Sequence, residues 1–358
     1  MEQASLRLMV ALKKRGHELE LLSLHPLGGL SPLLNQAGVP ATGLPYAGRG
    51  GWRIFRQLRQ RLQHLDADAL LMTGHHFLAL MALGKKPVRR VLAIHFHHSG
   101  VKPDWQWRLF YRLAVSKFTA ITFPSDFVRG EAESLYPPLK ERTCTVRYPL
   151  ALPRTPDEPT RAKARRELKL PSDCFIIGNA GWLIPRKRWD VFLETAALVI
   201  KQHPRVHFVV AGDGPLQAEL ARLASALGLT DHVSWLGWQT DLTMFYQAVD
   251  LLLFNSDWDA LAVTPQEALS HGVPVVASSL HGGLAEIVQH DRDGFLLAEH
   301  DTEALAAEIL RLIRDPAARQ ARALAGRQRI REMCDPDAIA RCYEELLQPE
   351  LSPGLDRE

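Results

Sequence analysis

The 358-residue chain has no run of about 18 apolar residues, so no stretch of it reads as a membrane-spanning helix. Cysteine is scarce. Cys144, Cys174, Cys334 and Cys342 are scattered, without the paired spacing of a metal site. This excludes a disulfide framework and a zinc ligand set, and leaves reduced thiols in a protein expected to be cytoplasmic. No secretory leader opens the sequence, and no repeat, heptad array or low-complexity tract runs through it. Asp66-Ala67-Asp68 stands immediately before the apolar run 69–73 and reads as strand-entry polarity. Gly212-Asp213-Gly214-Pro215 does not complete a G-x-G-x-x-G dinucleotide fingerprint. No metal, no resident cofactor and no nucleic-acid partner are therefore expected.

Apolar residues make up 46% of the chain, enough for full cores, and the length suits two domains. Pro149, Pro153, Pro156 and Pro159 mark a linker between them. The expected boundaries are 1–150, 161–335 and a last helix with its tail at 336–358. Charge is unevenly divided. Residues 1–150 hold 21 lysines and arginines against 10 aspartates and glutamates, and the remainder is net acidic. Such a field suits an anionic partner for the first half. Within it, residues 49–65 form a basic amphipathic helix candidate in which Trp52, Phe55, Leu58 and Leu62 recur at 3–4 spacing. A helix of this kind packs on its own sheet or lies on an anionic membrane surface.

The remaining pattern alternates strand and helix. His17–Leu22, 69–73, Val91–Ile94, Ala120–Ser125, Phe175–Ala180, Val206–Ala211, Val233–Gly237, Leu251–Asn255 and Val273–Ala277 read as strands. Helical periodicity fills residues 4–15, 161–168 and 302–348. This is the signature of parallel α/β sheets.

Residues 257–286 carry most of the chemistry. Thr264 reads as an N-cap and Pro265 as the first helical residue, with Gly272 as the stop. Asp259 and Glu267 flank that helix start. The first-turn amides suit an anion such as a diphosphate, and the two acids suit sugar hydroxyls. The same residues would also serve an ordinary capped helix with two surface acids.

The stretch resembles the signature of the family 4 glycosyltransferases, retaining enzymes of the GT-B fold. Their pattern is E-x7-E, then A-x-x-x-G-x-P-V-V-A, then G-G-x-x-E. Glu267, Ala268, Gly272, Pro274, Val275, Val276, Ala277, Gly282, Gly283 and Glu286 match it, with Asp259 in place of the first glutamate. Arg15-Gly16-His17-Glu18, Gly212-Asp213-Gly214-Pro215 and Gly294-Phe295-Leu296 match further family segments.

The resemblance implies an α/β protein with two Rossmann-like domains facing across a cleft. The family's first strand and glycine loop are missing from the given sequence; an assigned start too far downstream would account for this. It also implies transfer of a sugar from a nucleoside-diphosphate sugar to a hydroxyl on a glycan or glycolipid, with neither a protein nucleophile nor a metal. Lys187 matches the family's phosphate-clamping lysine, whereas Trp182 stands where the family has arginine. Arg186 or Arg188 is then the second cation. Backbone amides of Ala260, Leu261, Ala262 and Val263 would meet the phosphate, and Gly237 would border the nucleotide base. Asp259 would hold the donor sugar's hydroxyls and Glu267 the ribose. His95, with His97 as a rival, would reach the donor sugar from the first domain. The expected setting is the cytoplasm, peripheral at the inner face of a membrane. The missing strand and Trp182 leave a second reading open: a catalytically inactive partner that binds nucleotide sugars. A related isomerase or phosphorylase is a third, although no pyridoxal-lysine context is found for the latter.

Overall fold

The structure, a computed structural model, describes residues 2–46, 51–84, 88–95 and 102–348. The chain divides into two compact units, Met1–Leu150 with Cys334–Glu358, and Ala151–Met333. No helix among the described residues is long and apolar enough to cross a membrane.

Among the described residues unit 1 has six strands: β1 (Leu21–Ser23), β2 (Ala41–Gly43), β3 (Ala69–Thr73), β4 (Arg89–Ala93), β5 (Ala120–Phe123) and β6 (Thr143–Thr145). β3 to β6 pair in chain order in one parallel sheet, while β1 and β2 pair only with each other. In a doubly wound order a further strand would stand between β1 and β3; the described residues place none there. β1 is shorter than the alternation of His17–Leu22 suggests. Only Leu21–Ser23 finds a ladder, and His17 instead bonds Glu344 on the last helix at 2.8 Å. That helix, Pro336–Leu347, buries Ile339, Ala340 and Tyr343 with Leu8, Leu12, Val91 and Val146. Each fully buried side chain of this size is worth about 1.5–3 kcal/mol. Helix Gly51–His64 buries Leu58 of the expected stripe together with Ile54, and Phe55 and Leu62 pack against the same core; only Trp52 leaves it. Trp52 is 71% exposed, stacked on Phe55.

Unit 2 holds β7 (Phe175–Ala180), β8 (Val206–Ala211), β9 (Val233–Gly237), β10 (Leu251–Asp259), β11 (Val275–Gly282) and β12 (Phe295–Leu297). Their spatial order is β9-β8-β7-β10-β11-β12, all parallel, which is the 3-2-1-4-5-6 order of a Rossmann sheet. Near-continuous apolar strands follow from helices on both faces. Helices Trp189–Gln202 and Thr302–Arg314 pack on the sheet through Phe192, Leu193, Phe208, Ile309 and Leu312. The fold class is therefore GT-B-like α/β, with a Rossmann-like sheet in each unit.

β10 runs four residues past the expected Asn255, and β11 five past Ala277. Trp258 pairs with His281 and Asp259 with Gly282, so the two extensions support each other. Gly282 has φ +117°, and a Cβ there would lie 2.1 Å from the Asp259 carbonyl oxygen. Only glycine lets β11 run this close to Asp259.

Candidate functional site

The order of strands reverses between β7 and β10, and open α/β sheets bind ligands at the carboxyl ends of strands at such a switch point. β7 and β10 pair only through Ile177–Leu251 and Gly178–Leu252. Beyond that short ladder the loops after the two strands bring the expected residues together.

Lys187 Nζ donates to Asp259 Oδ2 at 2.6 Å, and Arg186 Nη1 to Asp259 Oδ1 at 3.2 Å. Arg186 also donates to the Trp258 carbonyl at 3.1 Å and lies over the Trp258 ring at 4.5 Å. Lys187 Nζ lies 4.7 Å from the centre of the Phe254 ring. The Lys187 and Asp259 side chains are 12% and 14% exposed. Burial pulls the Lys187 ammonium below its ordinary range, assisted by Arg186 and opposed by Asp259. Burial would raise the Asp259 carboxyl, but Lys187 and Arg186 outweigh it and hold the group low. The pair is thus charged, tightly held and poorly solvated.

Arg188 turns away from this pair. Its guanidinium grips Asp190 through Nε and Nη2, at 3.0 and 2.8 Å, and reaches Asp257 at 3.4 Å. Asp257 continues to His300 at 3.2 Å, His300 to Ser278 at 2.7 Å, and Asn255 donates to Ser278 at 2.8 Å. The alternative between Arg186 and Arg188 therefore resolves into two geometries, with Arg186 beside Lys187 and Arg188 at the head of a buried polar chain. Arg188 has φ +43° and Ala262 φ +53°, two left-handed non-glycine residues in the two loops after β7 and β10. Such backbone costs of order 1–3 kcal/mol and collects where function constrains the chain.

The helix after β10 is Val263–Ser270, capped by Ala262 without a side-chain bond. This corrects the expected cap. The Thr264 hydroxyl donates instead to the Ala180 carbonyl at 3.0 Å, fastening the helix start to the end of β7. Leu261 and Ala262 are buried beneath this turn, and Ala260 follows Asp259 directly. Glu267, one turn in, accepts from the Tyr246 hydroxyl at 3.0 Å, and Tyr246 stacks on His271 at 5.0 Å. Gly237 ends the edge strand β9 with φ +65°. Next to it Trp238 meets Trp182, centroids 5.1 Å apart, both more than half exposed.

His95 belongs to unit 1, just past the carboxyl end of β4. Its Nδ1 lies 3.2 Å from the Tyr148 hydroxyl, and its Nε2 is buried without a hydrogen-bond partner among the described residues. Burial lowers its pKa to about 3, so the ring is neutral at pH 7. His97, Arg49, Lys85 and Lys86 lie outside the described residues. At the same edge of unit 1, His25, His75 and His76 gather around Lys102, whose Nζ donates to the His75 carbonyl at 3.2 Å. Burial, then His25 and Lys102, keep His76 below its ordinary pKa.

A family model described as "Glycosyl transferases group 1" matches residues 160–329, and one described as "Glycosyl transferase 4-like domain" matches residues 1–149. The chain belongs to these glycosyltransferases. The lipopolysaccharide core biosynthesis glycosyltransferase LpsD of Rhizobium meliloti is 30% identical over 52% of this chain and 53% of its own length. An uncharacterized glycosyltransferase of Haemophilus influenzae is 25% identical over 88% of this chain and 87% of its own. The first of these relatives is thus spanned over about half its length. The structure of Anabaena Alr3699/HepE in complex with UDP-glucose superposes with a TM-score of 0.82 at 21% identity, over 96% of this chain and 95% of that one, a likeness of fold.

Within this candidate site, sequence reasoning missed Tyr246, Trp238, Asp257 and His300. Trp238 adjoins Gly237 and was within reach of the same reasoning. Tyr246 and His300 join the site only through tertiary packing, and no local spacing announces them.

Proposed function

We propose that the protein is a retaining, metal-independent glycosyltransferase that moves a sugar from a nucleoside-diphosphate sugar to a hydroxyl of an anionic glycan or glycolipid in cell-envelope polysaccharide assembly. The carrying observation is the buried Lys187–Asp259 pair with Arg186, set at the switch point of the unit 2 sheet. Two cations beside a helix N-terminus suit a leaving diphosphate whose charge grows as the glycosidic bond breaks. Asp259, freed in part when phosphate oxygens share those cations, accepts from donor-sugar hydroxyls. Glu267, oriented by Tyr246, accepts from the ribose. Trp182 and Trp238 offer aromatic faces beside Gly237, where the base is placed. His95, neutral and with a buried Nε2, serves as an uncharged hydrogen-bonding group for the donor sugar. The bound UDP-glucose of the HepE structure supports a uridine donor, and the name of the Rhizobium relative supports a lipopolysaccharide-type acceptor. The net basic first half and the exposed Arg53, Arg56 and Trp52 support work at an anionic membrane surface.

The test is incubation of the full chain with a panel of nucleoside-diphosphate sugars and an extracted lipopolysaccharide core, with and without chelator. Anomeric product configuration is read by NMR. Transfer with retention that survives chelator supports the reading, and inverted product or loss with chelator overturns it. A second reading, a nucleotide-sugar-binding partner without turnover, is favoured by Trp182 at the family's arginine position. It predicts donor binding with no transfer or donor hydrolysis anywhere in the panel.

A further inference from the structure

The polar chain headed by Arg188 lies wholly within unit 2 and runs from β11 and β10 to the loop after β7. Asn255 of β10 pairs in register with Ser278 of β11, and Ser278 with Leu297 of β12. His300 follows β12, and Asp301 beside it caps helix Thr302–Arg314 by accepting from the Ala304 amide. Asn255 and Ser278 are fully buried, and the His300 side chain is 8% exposed. A polar chain so buried is costly unless each donor meets an acceptor, and this requirement gives it a direction.

Asn255 Nδ2 can only donate, and it reaches Ser278 Oγ at 2.8 Å. Among the described residues His300 Nδ1, 2.7 Å away, is the acceptor left for the Ser278 hydroxyl hydrogen. His300 therefore carries its proton on Nε2 and donates it to Asp257 Oδ1 at 3.2 Å. Burial keeps the ring below its ordinary pKa, against the bond to Asp257, so this neutral tautomer holds at pH 7. Arg188 Nη1 reaches the same Asp257 oxygen, while Asp190 takes its Nε and Nη2. Two acids thus fix a guanidinium whose own backbone is left-handed, at φ +43°. Arg188 ends the turn Pro185–Lys187 and begins helix Trp189–Gln202, so an anchored Arg188 fixes the backbone from which Lys187 projects. Asp257 and Asp259 stand two apart on β10, on one face of the strand, and between them hold Arg186, Lys187 and Arg188.

We propose that His300 is a positioning residue for the donor site: its Nε2–H holds Asp257, Asp257 with Asp190 holds Arg188, and Arg188 sets the turn that aims Lys187 at the donor diphosphate. The inference rests on the proposed reading of Lys187 as a phosphate ligand, and it assigns Arg188 to support rather than to phosphate contact. When a diphosphate draws Lys187 away from Asp259, the Arg188 anchor stays closed, because its acids are separate ones. The turn then keeps its shape at the moment its lysine is used. A turn held through Asp259 alone would lose its anchor to the same diphosphate.

A double-mutant cycle in the full chain tests it without catalysis. The probe is whichever of uridine, guanosine, adenosine, cytidine and thymidine diphosphate binds the wild type most tightly in calorimetry. His300→Ala should weaken that binding by about tenfold, the scale of one lost charge-assisted contact. In the Lys187→Ala background the same substitution should change it by less than about twofold, because its effect runs through Lys187. His300→Gln, whose amide nitrogen reaches Asp257, should restore wild-type affinity to within about twofold. His300→Asn, whose shorter amide reaches only Ser278, should behave like His300→Ala. Should His300→Ala not fold, Asp257→Asn takes its place in the cycle with the same expected outcomes. Equal losses in the two backgrounds, or rescue by asparagine and not by glutamine, would overturn the proposal and leave the donor reading standing. Absence of binding by the wild type to every diphosphate in the panel would instead defeat the donor reading, and this inference with it.

Discussion

The two units handle positive charge in opposite ways. In unit 2 every cation near the switch point is matched from within. Lys187 and Arg186 share Asp259, and Arg188 holds Asp190 and Asp257. In unit 1 Arg53 and Arg56 project from an exposed face of helix Gly51–His64. A matched cluster is preorganised: its geometry is fixed before a ligand arrives, and the ligand competes for donors already aimed. Exposed like charges act at longer range, screened over about 10 Å at 0.1 M salt, and gain most from an anionic surface brought from outside. Substitutions in unit 2 should therefore change chemistry steeply, and those in unit 1 should change location gently.

The largest effect is expected at Lys187. Lys187→Ala removes a donor aimed at the leaving phosphate, and turnover should fall by about 100–1000-fold, or about 2.7–4 kcal/mol of barrier. Steady-state kinetics on a variant with an unchanged circular dichroism spectrum is the check. Retained turnover would break the contrast at its strongest point.

Glu267→Gln comes next. A charge-assisted bond to a ribose hydroxyl becomes a neutral one, so nucleoside diphosphate should bind more weakly by about 1–2 kcal/mol. Tyr246→Phe, which removes only the group orienting Glu267, should cost less. Calorimetry with the free nucleotide separates the two, and equal affinity in all three proteins would remove the ribose role.

The matched pair also predicts an acid limb. The Asp259 carboxyl sits below its ordinary value when folded, so its contribution is complete above the unfolded carboxylate pKa of about 3.9. It is lost as pH falls through the lower folded value. The gap in thermal midpoint between the wild type and Asp259→Asn should accordingly narrow from pH 7 to pH 3. A gap independent of pH would mean that the carboxylate is not stabilised by its neighbours.

The smallest effect belongs to the exposed face of unit 1. Arg53→Glu with Arg56→Glu should reduce sedimentation with anionic liposomes severalfold at low salt and leave donor hydrolysis intact. Raising the salt should erase the difference. Equal binding to neutral liposomes would remove electrostatics from the account.

Much of unit 2 was legible in the sequence because its strands are buried on both faces and stand out as continuous apolar runs. Phe175–Ala180, Val206–Ala211 and Val233–Gly237 coincide with the observed strands. The extension of β10 was not legible. Ser256, Asp257, Trp258 and Asp259 have no strand pattern, and they are strand only because β11 runs beside them through Gly282. Thr264 misled for a related reason. Its hydroxyl has the right chemistry for a cap, but the Ala180 carbonyl, 84 residues away in sequence, claims it. Family resemblance named Lys187 and Asp259 as candidates. Their direct bond was not legible, because spacing along a chain says nothing about which side chains meet across two loops. Trp52 failed in the opposite sense: periodicity placed it on the apolar stripe, but the helix packs through Ile54, Phe55, Leu58 and Leu62, and Trp52 at its first turn stays exposed.

The last helix belongs to the first unit. Ile339, Ala340 and Tyr343 close a core begun by Leu8 and Leu12, and the Tyr343 hydroxyl lies 3.2 Å from that of Thr122. Unit 2, Ala151–Met333, is in effect an insertion within unit 1. During synthesis, at about 5–20 residues per second, roughly 10–40 s pass between emergence of the first segment of unit 1 and arrival of the helix that seals it. Throughout that interval Leu8, Leu12 and Val91 have no lid, while unit 2 can already finish folding. The nascent chain thus carries an uncovered apolar face in its net basic half until residue 347 appears.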